Sequence, residues 1–272
     1  MTSISFDRAA DIYDATRGYT PAVADAIGAA VFAAAGDRPG TRMLEIGIGT
    51  GRIALPILAR GADVVGVDVS PRMLERLAAN FAERRTAEPD RPWGQLDARL
   101  CDITALPFPD ASFDAAIVVH VLHLVSEWRT ALDEVLRVIR PGGVFLIGND
   151  RAPGTVYSRL RGKWNTIVQE LGADLTPPGA AGYEPVLDEL RARGLTGEAT
   201  TPVTWTERHR PRQIIDDIAR RTWSGTWSVP DDILAMSITR LEAWAERELG
   251  PDFETPIDER AEFMLARFQL PT

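Results

Sequence analysis

Thiols are almost missing from this chain of 272 residues: Cys101 is the single cysteine. No intrachain disulfide can form, and no zinc centre can be built from thiolates. Lysine is as scarce, Lys163 being the only one among 30 basic residues. That preference for arginine reads as the codon usage of a GC-rich bacterial genome, not as function. No uncharged apolar run approaches the roughly 18 residues that a membrane-spanning helix needs. The start, from Met1 to Asp7, has neither a basic nor an apolar targeting stretch. Positive charge is also short. Against 39 acidic residues the net charge is -9, whereas a surface that grips nucleic acid needs clustered Lys and Arg. The expectation is a cytoplasmic chain with no nucleic-acid partner and no membrane partner.

What is present is apolar periodicity. Hydrophobic residues make up 45% of the chain, enough for a sizeable core. From Arg42 to Asp150 short apolar runs alternate with helical patterns, which predicts βαβ units and a parallel sheet. Strands are predicted at Met43–Ile46, Asp63–Val67, near Ala98–Cys101, at Phe113–Val119 and at Val144–Ile147. A helix is predicted over Ile53–Arg60. A second starts at the cap pair Ser70-Pro71. A third carries Trp128, Leu132, Val135, Leu136 and Ile139, and Pro141-Gly142-Gly143 is read as its stop. Further on, helices are predicted over Val156–Leu171, Glu184–Arg193 and Arg212–Arg221, with a long amphipathic one from Leu234 to Leu249. Val203 and Trp205 suggest a half-buried strand, and Glu262–Phe268 a closing one. The stretch from Phe6 to Phe32 reads as one or two helices broken at Gly18 and Pro21.

The strongest chemical signal is Leu44-Glu45-Ile46-Gly47-Ile48-Gly49-Thr50-Gly51-Arg52. An apolar strand enters a glycine-rich turn that opens a helix. Glycines there permit a tight turn and let a ligand approach main-chain N–H groups with no Cβ in the way. A dinucleotide fingerprint requires the order G-x-G-x-x-G. The sixth position is Arg52 counted from Gly47 and Ala54 counted from Gly49, so the third glycine is missing in both registers. Asp68 ends the second predicted strand, 21 positions after Gly47 (68 − 47). A carboxylate there can accept two hydrogen bonds from ribose hydroxyls, in dinucleotide enzymes as well as others.

The order E-x-G-x-G-x-G resembles the first motif of the Rossmann-like S-adenosylmethionine-dependent methyltransferases, and Phe6-Asp7-Arg8-Ala9-Ala10-Asp11-Ile12-Tyr13-Asp14-Ala15-Thr16-Arg17-Gly18 resembles their small-molecule branch. The likeness covers roughly residues 6–150. It implies an α/β fold, a doubly wound and mostly parallel seven-stranded mixed sheet with helical cap insertions, and S-adenosylmethionine as cofactor. It implies one domain over residues 1–272, with an N-terminal helical lid (1–40), a cofactor-binding core (41–150), caps (151–182 and 208–250) and a closing strand (251–272). The cofactor contacts implied are Glu45, Gly47, Gly49 and Gly51 at the turn, Asp68, Val69 and Met73 after the second strand, and His120 through its backbone. Asp102 would accept from the adenine amino group while Ile103 offers a main-chain N–H. Tyr13 and Arg17 would fold over the methionine end. Leu106–Asp114 and Leu136–Gly143 are familiar phrases of the family with structural roles.

His120 and His123 fall at the carboxyl end of the fourth strand, the edge where open α/β sheets bind ligands, and are candidate general bases. Asp150 is a second candidate. Trp205, Trp223 and Trp227, with Tyr157 and Trp164, either line an acceptor pocket or form the core of an insertion. His209 reads as part of a solvated turn. No metal site is expected, since Asn149-Asp150 alone is a poor magnesium ligand set. The function so implied is methyl transfer to a small-molecule acceptor. A decarboxylating or cyclising enzyme on the same cofactor and a non-catalytic cofactor-binding module remain alternatives. The sequence leaves monomer and homodimer equally open.

Overall fold

The computed structural model describes residues 5–272. Strands β1 (Arg42–Ile46), β2 (Asp63–Asp68), β3 (Leu96–Leu100), β4 (Phe113–Val119), β5 (Ile139–Arg151), β6 (Gly197–His209) and β7 (Ile257–Gln269) form one seven-stranded sheet in the order β3-β2-β1-β4-β5-β7-β6. β1 pairs in parallel with β2 and with β4, β2 with β3, and β4 with β5. β7 runs the other way. The Gly142 amide donates to Pro271 O, and the Leu270 amide to Gly143 O, each at 2.9 Å, so the end of β7 lies beside the start of β5. The sheet is therefore mixed. Chain order reverses between β1 and β4, which opens a crevice at their carboxyl ends.

Local chemistry accounts for the helices. α1 (Tyr13–Arg17) and α2 (Pro21–Ala34) are separated at Gly18, and Thr20 caps α2 by accepting from the Val23 amide at 3.4 Å. α3 (Ala54–Leu58) is shorter than the periodicity predicts, but all five residues are buried. α4 (Pro71–Ala87) starts as expected: Ser70 Oγ accepts from the Met73 amide at 3.1 Å, and Met73 and Leu77 are buried. α5 (Trp128–Val138) buries Trp128, Ala131, Leu132, Val135 and Val138 on one stripe. It ends before the expected stop. Pro141-Gly142-Gly143 lies inside β5, where Gly142 takes φ +68° and a Cβ on Gly143 would stand 2.8 Å from Asp114 O. The glycines make an irregular strand start against β4 rather than a helix cap, and the register there shifts between Phe113 and Ala115.

β1, β2 and β4 are buried along almost their whole length, as strands covered on both faces must be. The chain divides into two compact units. The first runs to Asn149 and adds Pro178–Val203 and Phe263–Thr272. Its core joins Leu44, Ile46, Val67, Phe113, Val118, Phe145 and Phe268, and it includes α7 (Glu184–Ala192) through Val186, Leu187 and Leu190. The second comprises Asp150–Pro177 and Thr204–Glu262. There α6 (Val156–Glu170), α8 (Pro211–Ala219) and α9 (Asp231–Leu249) pack around Trp164, Ile215, Ile218 and Leu241. Trp164 Nε1 donates to the buried Ser237 Oγ at 3.0 Å, so the buried indole keeps a partner. Trp164 and Trp223 thus belong to the core of this unit. His209 is not solvated as its polar surroundings suggested. It is mostly buried, with Nε2 3.0 Å from Glu259 Oε2. Among the described residues no helix is long and apolar enough to cross a membrane.

Candidate functional site

The glycine turn between β1 and α3 is built from positive φ values: +68° at Gly47, +55° at Gly49 and +89° at Gly51. A Cβ on Gly47 would lie 2.3 Å from Val121 Cγ2, and one on Gly51 would lie 2.5 Å from Leu77 Cδ1. At Gly49 the same position meets only Gly47 O, at 4.0 Å. Two of these glycines admit protein, and the third faces open space. The amides differ from the sequence expectation. Gly47 N and Ile48 N donate to Val67 O (2.8 and 3.0 Å), Gly51 N to Ile48 O (3.0 Å) and Gly49 N to Asp68 Oδ2 (2.9 Å). The turn satisfies these four N–H groups within the protein, so they are braces of the turn rather than donors held out to a ligand.

Beside the turn lies a pocket open to solvent. Tyr13, Gly47, Gly49, Asp68, Val69, Met73, Ile103 and His120 line it together with Phe6, Val119, Val121, Leu124 and Val125. Eight of the residues singled out from the sequence thus meet around one space, at the carboxyl ends of β1, β2 and β4. Asp68 is its main polar group. Oδ1 accepts from Ser70 N at 2.9 Å and Oδ2 from Gly49 N at 2.9 Å. Each carboxylate oxygen has a second lone pair for further donors. Burial raises its pKa, and the Ser70, Gly49 and Val69 amides oppose that rise.

Glu45, Gly51, Asp102 and Arg17 do not line the pocket. Glu45 is 3% exposed, its Oε2 has no hydrogen-bond partner, and burial pushes its pKa well above the usual carboxylate range while Arg52 opposes. Gly51 serves packing against Leu55 and Leu77. Asp102 Oδ1 accepts from Thr104 N at 3.0 Å and Thr104 Oγ1 at 2.8 Å, closing the turn that presents Ile103. Arg17 gives its carbonyl to Arg52 Nη1 at 3.2 Å.

A second pocket shares His120 and Val121 with the first. Its other walls include His123, Ile147, Asn149, Tyr183 and Val186. His120 stands at the junction with φ +55°, a conformation that costs a non-glycine residue energy. His123 is mostly buried, and burial, aided by the charges of His120 and Arg17, lowers its pKa to about 4. Its imidazole is neutral at physiological pH. Asp150 begins the second unit and is described with it. Among the described residues no group of three His, Cys, Asp or Glu side chains could hold a metal.

Sequence reasoning missed Val119, Val121, Leu124 and Val125 in the first pocket and Tyr183 in the second. It also missed what ties down the N-terminal segment. Asp7 Oδ1 accepts from Ser70 Oγ at 2.6 Å, Asp11 from Arg72 at 2.6 Å, and Asp14 from Thr50 Oγ1 at 2.5 Å and Asn80 Nδ2 at 3.0 Å. The spacing of those three aspartates, at i, i+4 and i+7, was the available signal.

A switch-point pocket beside a glycine turn, with a carboxylate ending β2, defines a nucleoside-cofactor enzyme of the Rossmann-like class. Comparison with known proteins narrows that class. The family described as "Methyltransferase domain" matches residues 44–147. An uncharacterized methyltransferase of Mycobacterium tuberculosis is 33% identical over 229 residues, covering 81% of this chain and 78% of that protein. A demethylmenaquinone methyltransferase of Renibacterium salmoninarum is 36% identical over 157 residues, covering 54% of this chain and 58% of that protein. The crystal structure of the YcgJ protein from Bacillus subtilis superposes with a TM-score of 0.60 at 21% identity, over 90% of this chain and 98% of that one. The chain belongs to the methyltransferase family. It spans about three fifths of the length of several curated relatives that it matches.

Proposed function

We propose that this protein transfers a methyl group from S-adenosylmethionine to a small-molecule acceptor in the cytoplasm. The observation that carries the proposal is the open space at Gly49, bounded by Asp68 and Ile103 in one pocket. The residues fit the cofactor. Asp68 is a half-buried carboxylate with lone pairs left for two ribose hydroxyls, and Gly49 leaves room where any side chain would intrude. Ile103, presented by the Asp102 turn, would flank an adenine ring, and Val69 and Met73 would give it apolar walls. Tyr13 would close over the amino-acid end. Glu45 sets a buried polar oxygen behind the turn. The cofactor, when bound, supplies an electrophilic methyl group.

The chain's own contribution is orientation and exclusion of water. Alignment of two reactants supplies up to about 7–11 kcal/mol of barrier lowering. The second pocket then receives the acceptor, with His120 between the two spaces. His123 keeps an unprotonated nitrogen above about pH 4, so it accepts a hydrogen bond from an acceptor hydroxyl or ring N–H. A neutral imidazole is also the form tolerated beside a cationic cofactor. The likeness to a demethylmenaquinone methyltransferase makes a quinone-like ring the first acceptor to try.

The test has two parts. Calorimetry with S-adenosylmethionine is expected to show tight binding to the natural protein and a loss of at least about 100-fold for Asp68→Ala; unchanged affinity refutes the cofactor site. Mass spectrometry across a panel of ring hydroxyl and amine acceptors is expected to show S-adenosylhomocysteine together with methylated acceptor. Turnover of an acceptor with no S-adenosylhomocysteine would point to a cyclising or decarboxylating enzyme instead.

A further inference from the structure

We infer that the β3 edge joins this chain to a second copy of itself, in an antiparallel register centred on Ala98. β3 is the terminal strand of the sheet, paired only with β2 in the strand order. Asp97, Ala98, Arg99 and Leu100 are all exposed, Leu100 at 62%. In the ladder with β2, Val64 N donates to Gln95 O at 2.8 Å and Cys101 N to Asp68 O at 2.9 Å. Alternation therefore turns the odd-numbered residues toward β2 and the N–H and C=O groups of Leu96, Ala98 and Leu100 outward. An exposed row of such groups is a template for pairing, which proteins blunt with proline, with charges or by keeping the strand short. Here the strand is five residues with no proline, and its two charges are of opposite sign.

The sequence of the strand, Leu96-Asp97-Ala98-Arg99-Leu100, is self-complementary when reversed. With a two-fold axis at Ala98, Ala98 forms a hydrogen-bonded pair with its own copy. Leu96 pairs with Leu100 of the second copy, and the reverse. Leu96, Ala98 and Leu100 then make one apolar stripe with their counterparts. On the other face Asp97 lies opposite the second copy's Arg99, twice over. Within one chain Asp97 Oδ2 and Arg99 Nη2 are already 2.6 Å apart, so the four charges alternate in sign. The alignment is also unique. Sliding the strands either way while keeping the outward groups paired sets Asp97 against Asp97, or Arg99 against Arg99. Opposite charges across a ladder stabilise and like charges destabilise, so the register at Ala98 is selected. Arg99 is held for this over the Phe108 ring, 4.9 Å from its centroid. Five residues a side make a small interface, so the dimer is of moderate strength, with a dissociation constant on the order of micromolar.

Sedimentation equilibrium from about 1 to 200 µM tests this on the full chain. The mass is expected to rise from 29.8 kDa toward twice that value with concentration. Asp97→Arg alone and Arg99→Asp alone each set like charges face to face and are expected to weaken the dimer at least about tenfold. The double exchange, Asp97→Arg with Arg99→Asp, restores it. Ala98→Pro removes an outward N–H that has no partner within the ladder and is expected to leave monomer. All four variants lie on an exposed edge, and thermal melting within a few degrees of the natural protein shows that they fold. A natural protein that stays at 29.8 kDa throughout overturns the proposal, as does a dimer indifferent to Ala98→Pro. Single exchanges that dissociate without rescue by the double exchange overturn the register.

Discussion

Gly47, Gly49 and Gly51 take left-handed backbone angles within five residues, yet they answer to different neighbours. A methyl group at Gly51 would press on Leu55 and Leu77, whereas one at Gly49 would enter the pocket. Gly51→Ala is therefore expected to lower folding stability by about 2–3 kcal/mol, from overpacking added to an unfavourable φ. Gly49→Ala is expected to cost only about 1–2 kcal/mol of stability and to weaken cofactor binding at least about tenfold. Denaturant titration and calorimetry separate the two, and equal losses of stability would contradict this division. His123 gives a second expectation. Its folded pKa of about 4 lies below the ordinary 6.5, so the unfolded chain binds the extra proton between those values. The contribution to stability is complete above about pH 6.5 and is lost as pH falls toward 4. It amounts to about 2 kcal/mol between pH 7 and pH 5. His123→Gln is expected to flatten that part of the stability curve; an unchanged slope would assign the acid sensitivity elsewhere. At this scale Asp68, Val69 and Met73 were legible because a strand end and a helix cap fix where their side chains point. Tyr183 and Asn149 were not, since nothing local tells a residue which pocket it will meet.

The N-terminal segment from Phe6 to Arg17 shows why short elements resist reading. α1 has five residues, too few to persist alone, and the segment buries only Ala9 and Ala10. Its position rests on polar ties: Asp7 to Ser70, Asp11 to Arg72 and Asp14 to Thr50 and Asn80. Phe6 and Tyr13, packed edge to face at 6.1 Å, form one side of the pocket. Cutting the ties should open the pocket without unfolding the sheet. Asp7→Ala with Asp14→Ala is expected to speed amide exchange across residues 6–17 while β1 and β4 keep full protection, and to raise the cofactor off-rate about tenfold, each bond contributing about 0.5–1.5 kcal/mol. Unchanged exchange in that segment would show that apolar contacts alone hold it. Long periodic elements were legible for the opposite reason. α4, α5 and α9 bury stripes that repeat over several turns, while α3 and the start of β5 are set by tertiary packing around Pro56 and Gly143.

Over the whole molecule, periodicity identified most elements, and the family likeness implied seven strands in a mixed sheet; the strand order β3-β2-β1-β4-β5-β7-β6 was not legible, because apolar spacing says nothing about which strands become neighbours. The two caps implied at 151–182 and 208–250 fall largely within the second compact unit, but the core that its helices share was hidden: they read like any others until it is seen. Net charge, by contrast, is a property of the entire chain and is read directly. At -9 it sets up a negative field that attracts cations at long range and is screened by salt. S-adenosylmethionine carries a carboxylate, an ammonium and a sulfonium, so its net charge is +1. S-adenosylhomocysteine lacks the sulfonium charge and is neutral overall. The protein's field should then favour arrival of the cofactor without favouring arrival of the product. Stopped-flow association rates are expected to fall several-fold for S-adenosylmethionine between about 20 and 500 mM salt, and to change far less for S-adenosylhomocysteine. An equal response of the two ligands would mean that the groups lining the pocket, with Asp68 foremost, outweigh the surface charge in setting the rate of capture.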